Sequence, residues 1–275
     1  MIPLYDLHTH TCFCDGKHTP EEMVQAAIQR GCHTLGFSGH APTDVRGGDT
    51  DWWIATEKLC SYRNEVLRLK HAYGTQLEIL LGFELDYFSP KLDFGCDYTI
   101  GSVHYVKAAG EYIPVDATPE ILKDAVDRLY GGSFVAYAKD YFTLVSQVVE
   151  KTHCDIVGHL DLLTKFNEKY PYFCESDTTY QAMALEALDC VLEKDVFIEI
   201  NTGAISRGWR TTPYPAPFIL RRIVEKNGKL VLNSDSHSAE HLLFAFEDAV
   251  KLARACGVKE LWVYESQTFR SMSIL

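Results

Sequence analysis

The sequence has no long apolar run. No window of its 275 residues is apolar for long enough to span a bilayer, so no membrane partner is expected. A basic start followed by an apolar stretch is also missing. No signal peptide is therefore expected, and the expected compartment is the cytoplasm. Paired-cysteine spacing is absent too. Nine scattered cysteines, an odd number, fit reduced thiols better than a disulfide framework. Cys12-Phe13-Cys14 is a weak soft-metal candidate, because no second cysteine pair lies nearby. Positive charge is scarce: 26 lysines and arginines face 38 acids, a net charge of −12. That balance argues against a nucleic-acid binder relying on bulk positive charge, whereas bound divalent cations would offset part of it. No repeat, low-complexity segment or obvious linker interrupts the chain, and residues 1–275 read as one domain.

What is present is an alternation of strands and helices. Thr19-Pro20-Glu21-Glu22 opens a helix with a capping box and a proline in its first turn, and Gly31 stops it. Thr34–Phe37, Leu77–Phe83, Tyr98–Gly101, Asp155–Gly158, Val196–Ile200 and Lys229–Leu232 read as strands. Helical patterns fall between them, near Trp52–Tyr73, Pro119–Tyr130, Ser133–Lys151, Thr178–Glu193 and Phe218–Lys226. Lys107–Thr118 reads as a loop, and so does the Gly- and Pro-rich stretch Thr202–Pro217. Alternation at this spacing implies parallel strands joined by crossover helices.

The strands end in metal-ligating side chains. His8 and His10 follow the first apolar run one residue apart, on one face of an extended chain. His40, Glu84, His104, His159, and Asp235 with His237 stand at the ends of five further strands. A lone histidine at a strand end is more often structural. Eight such residues at six of seven strand ends point to one shared pocket, which a closed ring of strands would form at its C-terminal face. Eight ligands exceed one tetrahedral zinc and suggest two or three ions, an arrangement suited to hydrolysing phosphate esters. His33, His71 and His153 lie away from that face. His241 reads as lying outside the ligand set, and His18 is ambiguous.

These strings resemble the polymerase-and-histidinol-phosphatase (PHP) family of metallohydrolases. The matching pieces are Asp6-Leu7-His8-Thr9-His10, Phe37-Ser38-Gly39-His40, Glu84, Gly101-Ser102-Val103-His104, Gly158-His159-Leu160-Asp161 and Ser234-Asp235-Ser236-His237. The resemblance runs almost end to end. Ile100–Tyr105, Gly158–Leu162, and Asn201-Thr202 with Tyr214-Pro215 look most like its histidinol-phosphate-hydrolysing members. It implies a distorted (β/α)7 TIM-like barrel and three divalent metal ions, zinc first, with iron or manganese as alternatives. It implies His8, His10, Glu84 and Asp235 around one ion, and Glu84, His104 and His159 around a second. His40 and His237 hold a third with one more ligand from the loop after His10. Asp15 and His18 compete for that place, and Asp15, nearer the strand end, is favoured.

The implied reaction is hydrolysis of histidinol phosphate, a small phosphomonoester, to histidinol and phosphate in histidine biosynthesis. No nucleic-acid partner is implied. Arg207 is the candidate for gripping the phosphate, with Arg210 the weaker choice. Asp161 is expected to orient a proton, bind the substrate amine or steady a metal-bound histidine. The loop Pro42–Asp51, backed by Trp52 and Trp53, is a candidate lid or imidazole-stacking wall. Competing readings are another phosphoesterase or a nuclease on single strands, an amidohydrolase-type barrel with a bridging lysine, and a non-catalytic metal sensor.

Overall fold

The computed structural model describes residues 2–45 and 52–275. Its first half holds β1 (Tyr5–Asp6), α1 (Pro20–Gln29), β2 (Thr34–Phe37), α2 (Leu59–Tyr73), β3 (Glu78–Asp86) and β4 (Tyr98–Ser102). A hairpin of β5 (Tyr105–Ala108) and β6 (Glu111–Pro114) follows, then α3 (Pro119–Tyr130), α4 (Phe134–Thr152) and β7 (Ile156–Val157). The rest comprises α5 (Thr178–Leu192), β8 (Phe197–Asn201), α6 (Gly203–Ser206), α7 (Pro217–Glu225) and β9 (Lys229–Asn233). Last come α8 (Phe246–Ala255), β10 (Glu260–Glu265) and β11 (Thr268–Ser273).

Seven strands form a parallel sheet in the order β1-β2-β3-β4-β7-β8-β9. It closes on itself just beyond the strand ends. Thr9 and Ser236 form a parallel bridge, with the His10 amide donating to the Ser236 carbonyl at 2.8 Å. The result is a nearly closed α/β barrel with helices outside, as the resemblance implies. The expected capping box is present: the Thr19 hydroxyl accepts from the Glu22 amide, and Glu22 accepts from the Thr19 amide. Thr118 likewise caps α3 ahead of Pro119, and Gly131 ends that helix with φ +59°.

The barrel interior is filled by Leu7, Leu80, Tyr98, Ile100, Ile156 and Val231. Tyr98 crosses it to donate its hydroxyl proton to the Leu7 carbonyl. Gly36 and Gly82 make that possible, since a Cβ there would stand 2.4 Å from the Tyr98 hydroxyl and 2.5 Å from its ring, respectively. Below, the β10–β11 hairpin plugs the N-terminal end. Phe269 stacks on Phe197 at 4.1 Å, Trp262 packs beside it at 5.6 Å, and the turn amides of Ser266 and Gln267 donate to Glu78 at the start of β3.

Two expectations need correction. Lys107–Thr118 is not all loop: Tyr105–Pro114 forms an antiparallel hairpin, turned at Ala109-Gly110 with φ of +49° and +85°. The helix expected from Trp52 begins only at Leu59, after a 3-10 turn at Thr56–Lys58. Trp52 lies against the site, its ring 4.7 Å from His40 and its indole N–H donating to the Tyr105 hydroxyl at 3.2 Å. Of the candidate lid, residues 46–51 lie outside the described residues.

Candidate metal centre

The expected strand-end residues converge. Glu84, inside β3, stands in the middle. Its Oε2 is 3.1 Å from His8 Nε2, 3.0 Å from His40 Nδ1 and 3.5 Å from His10 Nε2. Its Oε1 is 3.0 Å from His159 Nε2 and 3.3 Å from His104 Nε2, and accepts from the Ser102 hydroxyl at 2.6 Å. Asp235 Oδ1 faces His10 and His237 at 3.5 Å each and His8 at 3.7 Å. Asp235 holds φ +49°, a strained value for a side chain of this kind at the mouth of a site.

The loop after β1 brings Asp15, not His18, to the cluster. Asp15 Oδ2 lies 3.1 Å from His237 Nε2, and its Oδ1 lies 3.7 Å from His40 and 3.8 Å from His10. His18 points elsewhere, accepting from the Ala239 amide at 3.1 Å and lying 3.7 Å from Glu240. The donors fall into four groups whose ligating atoms lie within 4.8 Å of one another: His10/Asp15/His40/His237, His8/Glu84/His159, His8/His10/Asp235 and His40/Glu84/His104. None includes a cysteine. Cys12 is exposed, and Cys14 only approaches His10 Nδ1, at 3.6 Å.

Several of these atoms have no hydrogen-bond partner although buried: His8 Nε2, His10 Nε2, His40 Nδ1 and Glu84 Oε2. Unpaired buried polar atoms are costly in a native protein, and a cluster of them aimed at one another fits bound cations. The charge balance agrees. Burial, reinforced by His237 and His40, pushes His10 down to about 3, the neutral form a metal requires. Burial opposes ionisation of Glu84, yet His8, His104 and His40 hold its carboxyl well below the usual range. Burial likewise opposes a proton on His8, but Glu199, Glu84 and Asp235 raise it well above the ordinary imidazole value. Ions held there would supply the positive charge that those protons otherwise provide.

Glu199 is a residue that the strand-end pattern does not find. It lies fully buried in β8, and His8 Nδ1–H donates to its Oε1 at 2.6 Å. The His159 amide at 2.9 Å and the side-chain amides of Asn201 at 2.8 Å and Asn233 at 2.9 Å also donate to it. Glu199 therefore fixes the tautomer that leaves His8 Nε2 open to a metal. The signal was an acid in the alternating run Phe197-Ile198-Glu199-Ile200-Asn201, on the same face as Asn201.

Arg207 lines the pocket, but its guanidinium is engaged. It donates to Asp235 Oδ2 at 2.9 Å and to the Asp235 carbonyl at 3.2 Å, and lies 3.1 Å from His237 Nδ1. Gly203 leaves room for this pair, since a Cβ there would stand 2.6 Å from the Asp235 carboxylate and 2.7 Å from the guanidinium. Arg210 is not at the pocket. It is buried against the Thr164 carbonyl and Glu175. Of the roles expected for Asp161, a direct meeting with substrate is not what its placement favours. Its carboxylate is fully buried, accepts from the Ala216 amide at 2.9 Å and is absent from the pocket lining. Burial, partly offset by Arg210, pushes it up to about 6. The lysine of an amidohydrolase-type site is not found beside Glu84: Lys165 bonds Asp116, and Lys107 reaches Tyr112.

The donors open into a pocket of about 1040 Å³, lined also by Tyr105, Tyr112, Asp116 and Lys165. A parallel barrel that gathers histidines and carboxylates at the C-terminal ends of its strands defines a metal-dependent hydrolase of the α/β-barrel class. The PHP domain model matches residues 6–203. The chain belongs to the PHP domain family. The probable histidinol-phosphatase of Deinococcus radiodurans is 34% identical over 94% of this chain and 95% of its own. The histidinol-phosphatase of Bacillus subtilis is 26% identical over 88% of this chain and 96% of its own. Among solved structures, the histidinol phosphate phosphatase of Lactococcus lactis, crystallised with zinc, L-histidinol and phosphate, shares the fold. Its TM-score is 0.73 at 21% identity, over 98% of this chain and all of that one.

Proposed function

We propose that this chain is a histidinol-phosphatase, a phosphomonoesterase that releases phosphate from histidinol phosphate. The observation that carries it is the cage of buried, unpartnered imidazole and carboxylate atoms around Glu84, opening into a pocket of small-molecule size with Arg207 at its rim. The names borne by relatives that match end to end give the substrate. The cage takes three divalent ions: His8, His10, Glu84 and Asp235 hold one, Glu84, His104 and His159 another, and Asp15, His40 and His237 the third. Zinc is the first choice, as in the Lactococcus lactis complex. When bound, the ions supply positive charge for the phosphoryl oxygens and make water a usable nucleophile near neutral pH.

The chain's own groups do the positioning. Glu199 keeps the His8 proton on Nδ1, and Ser102 steadies Glu84. Arg207, preorganised by Asp235 across Gly203, presents a fixed cation to a phosphate entering the pocket. Asp161 and the Asn201–Tyr214 bridge hold the loop that carries Arg207 onto the end of β8. One barrel domain, residues 1–275, does this work.

The test is phosphate release by metal-loaded protein across phosphomonoesters and single-stranded DNA. Histidinol phosphate is expected to lead by at least about tenfold in kcat/KM, a difference a few polar contacts can supply. Equal turnover of unrelated esters would leave a phosphatase without this substrate, and faster cleavage of DNA would replace the reading with a nuclease.

A further inference from the structure

The pocket beside the donor cage carries charges that the hydrolysis leaves unused. Lys165 lines it with its side chain only 10% exposed. Its Nζ donates to the Asp116 carbonyl at 2.8 Å and to Asp116 Oδ2 at 2.9 Å, and lies 5.4 Å from the centre of the Phe166 ring. A lysine this enclosed is held by its partner, and in turn holds that partner. Asp116 follows β6 directly and is fixed by its neighbour, since the Val115 amide donates to the His104 carbonyl at 2.8 Å. The Asp116 side chain is 31% exposed and lines the pocket. Its second oxygen, Oδ1, has no hydrogen-bond partner among the described residues.

Among the described residues, the other acids of the pocket are committed. Asp15, Glu84 and Asp235 belong to the donor cage, and Glu111 gives both its oxygens to Arg128, at 2.7 Å and 3.2 Å. The rim cation, Arg207, lines the same pocket beside Asp235. The cavity therefore carries both signs of charge. Among the described residues it offers cationic recognition at the donor cage and one uncommitted carboxylate oxygen, at Asp116.

A phosphate ester carrying an ammonium group at its other end matches that polarity. We propose that Asp116, held in place by Lys165, accepts the ammonium group of the substrate and so selects amino-bearing phosphomonoesters over those without the amine. The proposal rests on the phosphatase reading above. It adds the group that reads the end of the substrate remote from the phosphate.

The experiment compares kcat/KM for histidinol phosphate and for the same ester lacking the amino group. It uses the metal-loaded full chain, its Asp116→Asn variant and its Asp116→Glu variant, with melting temperatures to confirm folding. The wild type is expected to favour the amino-bearing ester by about tenfold or more, as for a hydrogen bond to a charged group. Asp116→Asn should cut that preference at least tenfold, mainly by raising KM for histidinol phosphate. Asp116→Glu, which keeps the charge, should recover part of it. The inference is overturned if Asp116→Asn lowers both esters equally or leaves the preference intact. It also falls if the wild type does not distinguish the two esters, an outcome that leaves the phosphatase reading standing. Failure of the wild type to hydrolyse either ester would remove both.

Discussion

The two mouths of the barrel are built from opposite materials. At the N-terminal end, Trp262, Tyr264 and Phe269 of the β10–β11 hairpin pack on Phe197 and the interior layer of Leu7, Leu80 and Tyr98. At the C-terminal end, six imidazoles and three carboxylates crowd together with polar atoms that no hydrogen bond satisfies. One end gains stability from apolar burial. The other leaves polar atoms unpaired and Asp235 at positive φ, an arrangement that could hold cations. Changes at the top should therefore alter metal binding and turnover, and changes at the bottom should alter stability.

The largest effect is expected from Glu84→Gln. It removes the charge at the centre of the cage and should cost bound metal and on the order of 10³-fold in kcat, with the far-ultraviolet circular dichroism of a folded barrel retained. Retained metal and activity would show that Glu84 is not the centre of the metal site. At the opposite mouth, Trp262→Ala should lower unfolding free energy by about 3 kcal/mol while kcat/KM per folded molecule stays near wild type. Denaturant titration and active-site titration together check this.

Glu199→Gln should be intermediate. The barrel stays folded, but with the His8 tautomer no longer enforced, metal affinity drops about ten- to a hundredfold, measurable by competition with a chromophoric chelator. The smallest expected effect is the coupling between the two mouths. Glu78 at the plug and Glu84 at the cage are six residues apart in β3, about 20 Å along a strand. The stability changes of Trp262→Ala and Glu84→Gln should therefore add to within about 0.5 kcal/mol. A larger coupling would mean that the plug and the cage are not separate devices.

Much of the top was legible in the sequence, for a physical reason. A histidine or acid directly after an apolar run is visible to period and position, and parallel strands carry all such ends to one face. His8, His10, His40, His104, His159, Asp235 and His237 were found this way. The spacing left Asp15 and His18 competing, and only the folded loop shows Asp15 beside His237 while His18 meets the Ala239 amide. Glu199 was hidden because an acid within a strand reads as an ion pair until its partner is known, and that partner, His8, is 191 residues away. The role of Asp161 stays open in the sequence because its neighbour His159 faces Glu84, whereas Asp161 turns to the Ala216 amide. The plug was equally obscure. Leu261–Tyr264 reads only as an apolar stretch, and its place under the barrel depends on packing against strands far away in the chain. The hairpin at Tyr105–Pro114 is hard to see in the sequence because its lysine, glycine and proline suggest a loop.

The most direct test of the account is anomalous X-ray scattering from crystals of metal-loaded protein, collected at the absorption edge of the ion. Three peaks are expected at the C-terminal mouth, two of them flanking Glu84 and the third among Asp15, His40 and His237. Ions bound elsewhere on the surface, with no peak beside Glu84, would contradict it.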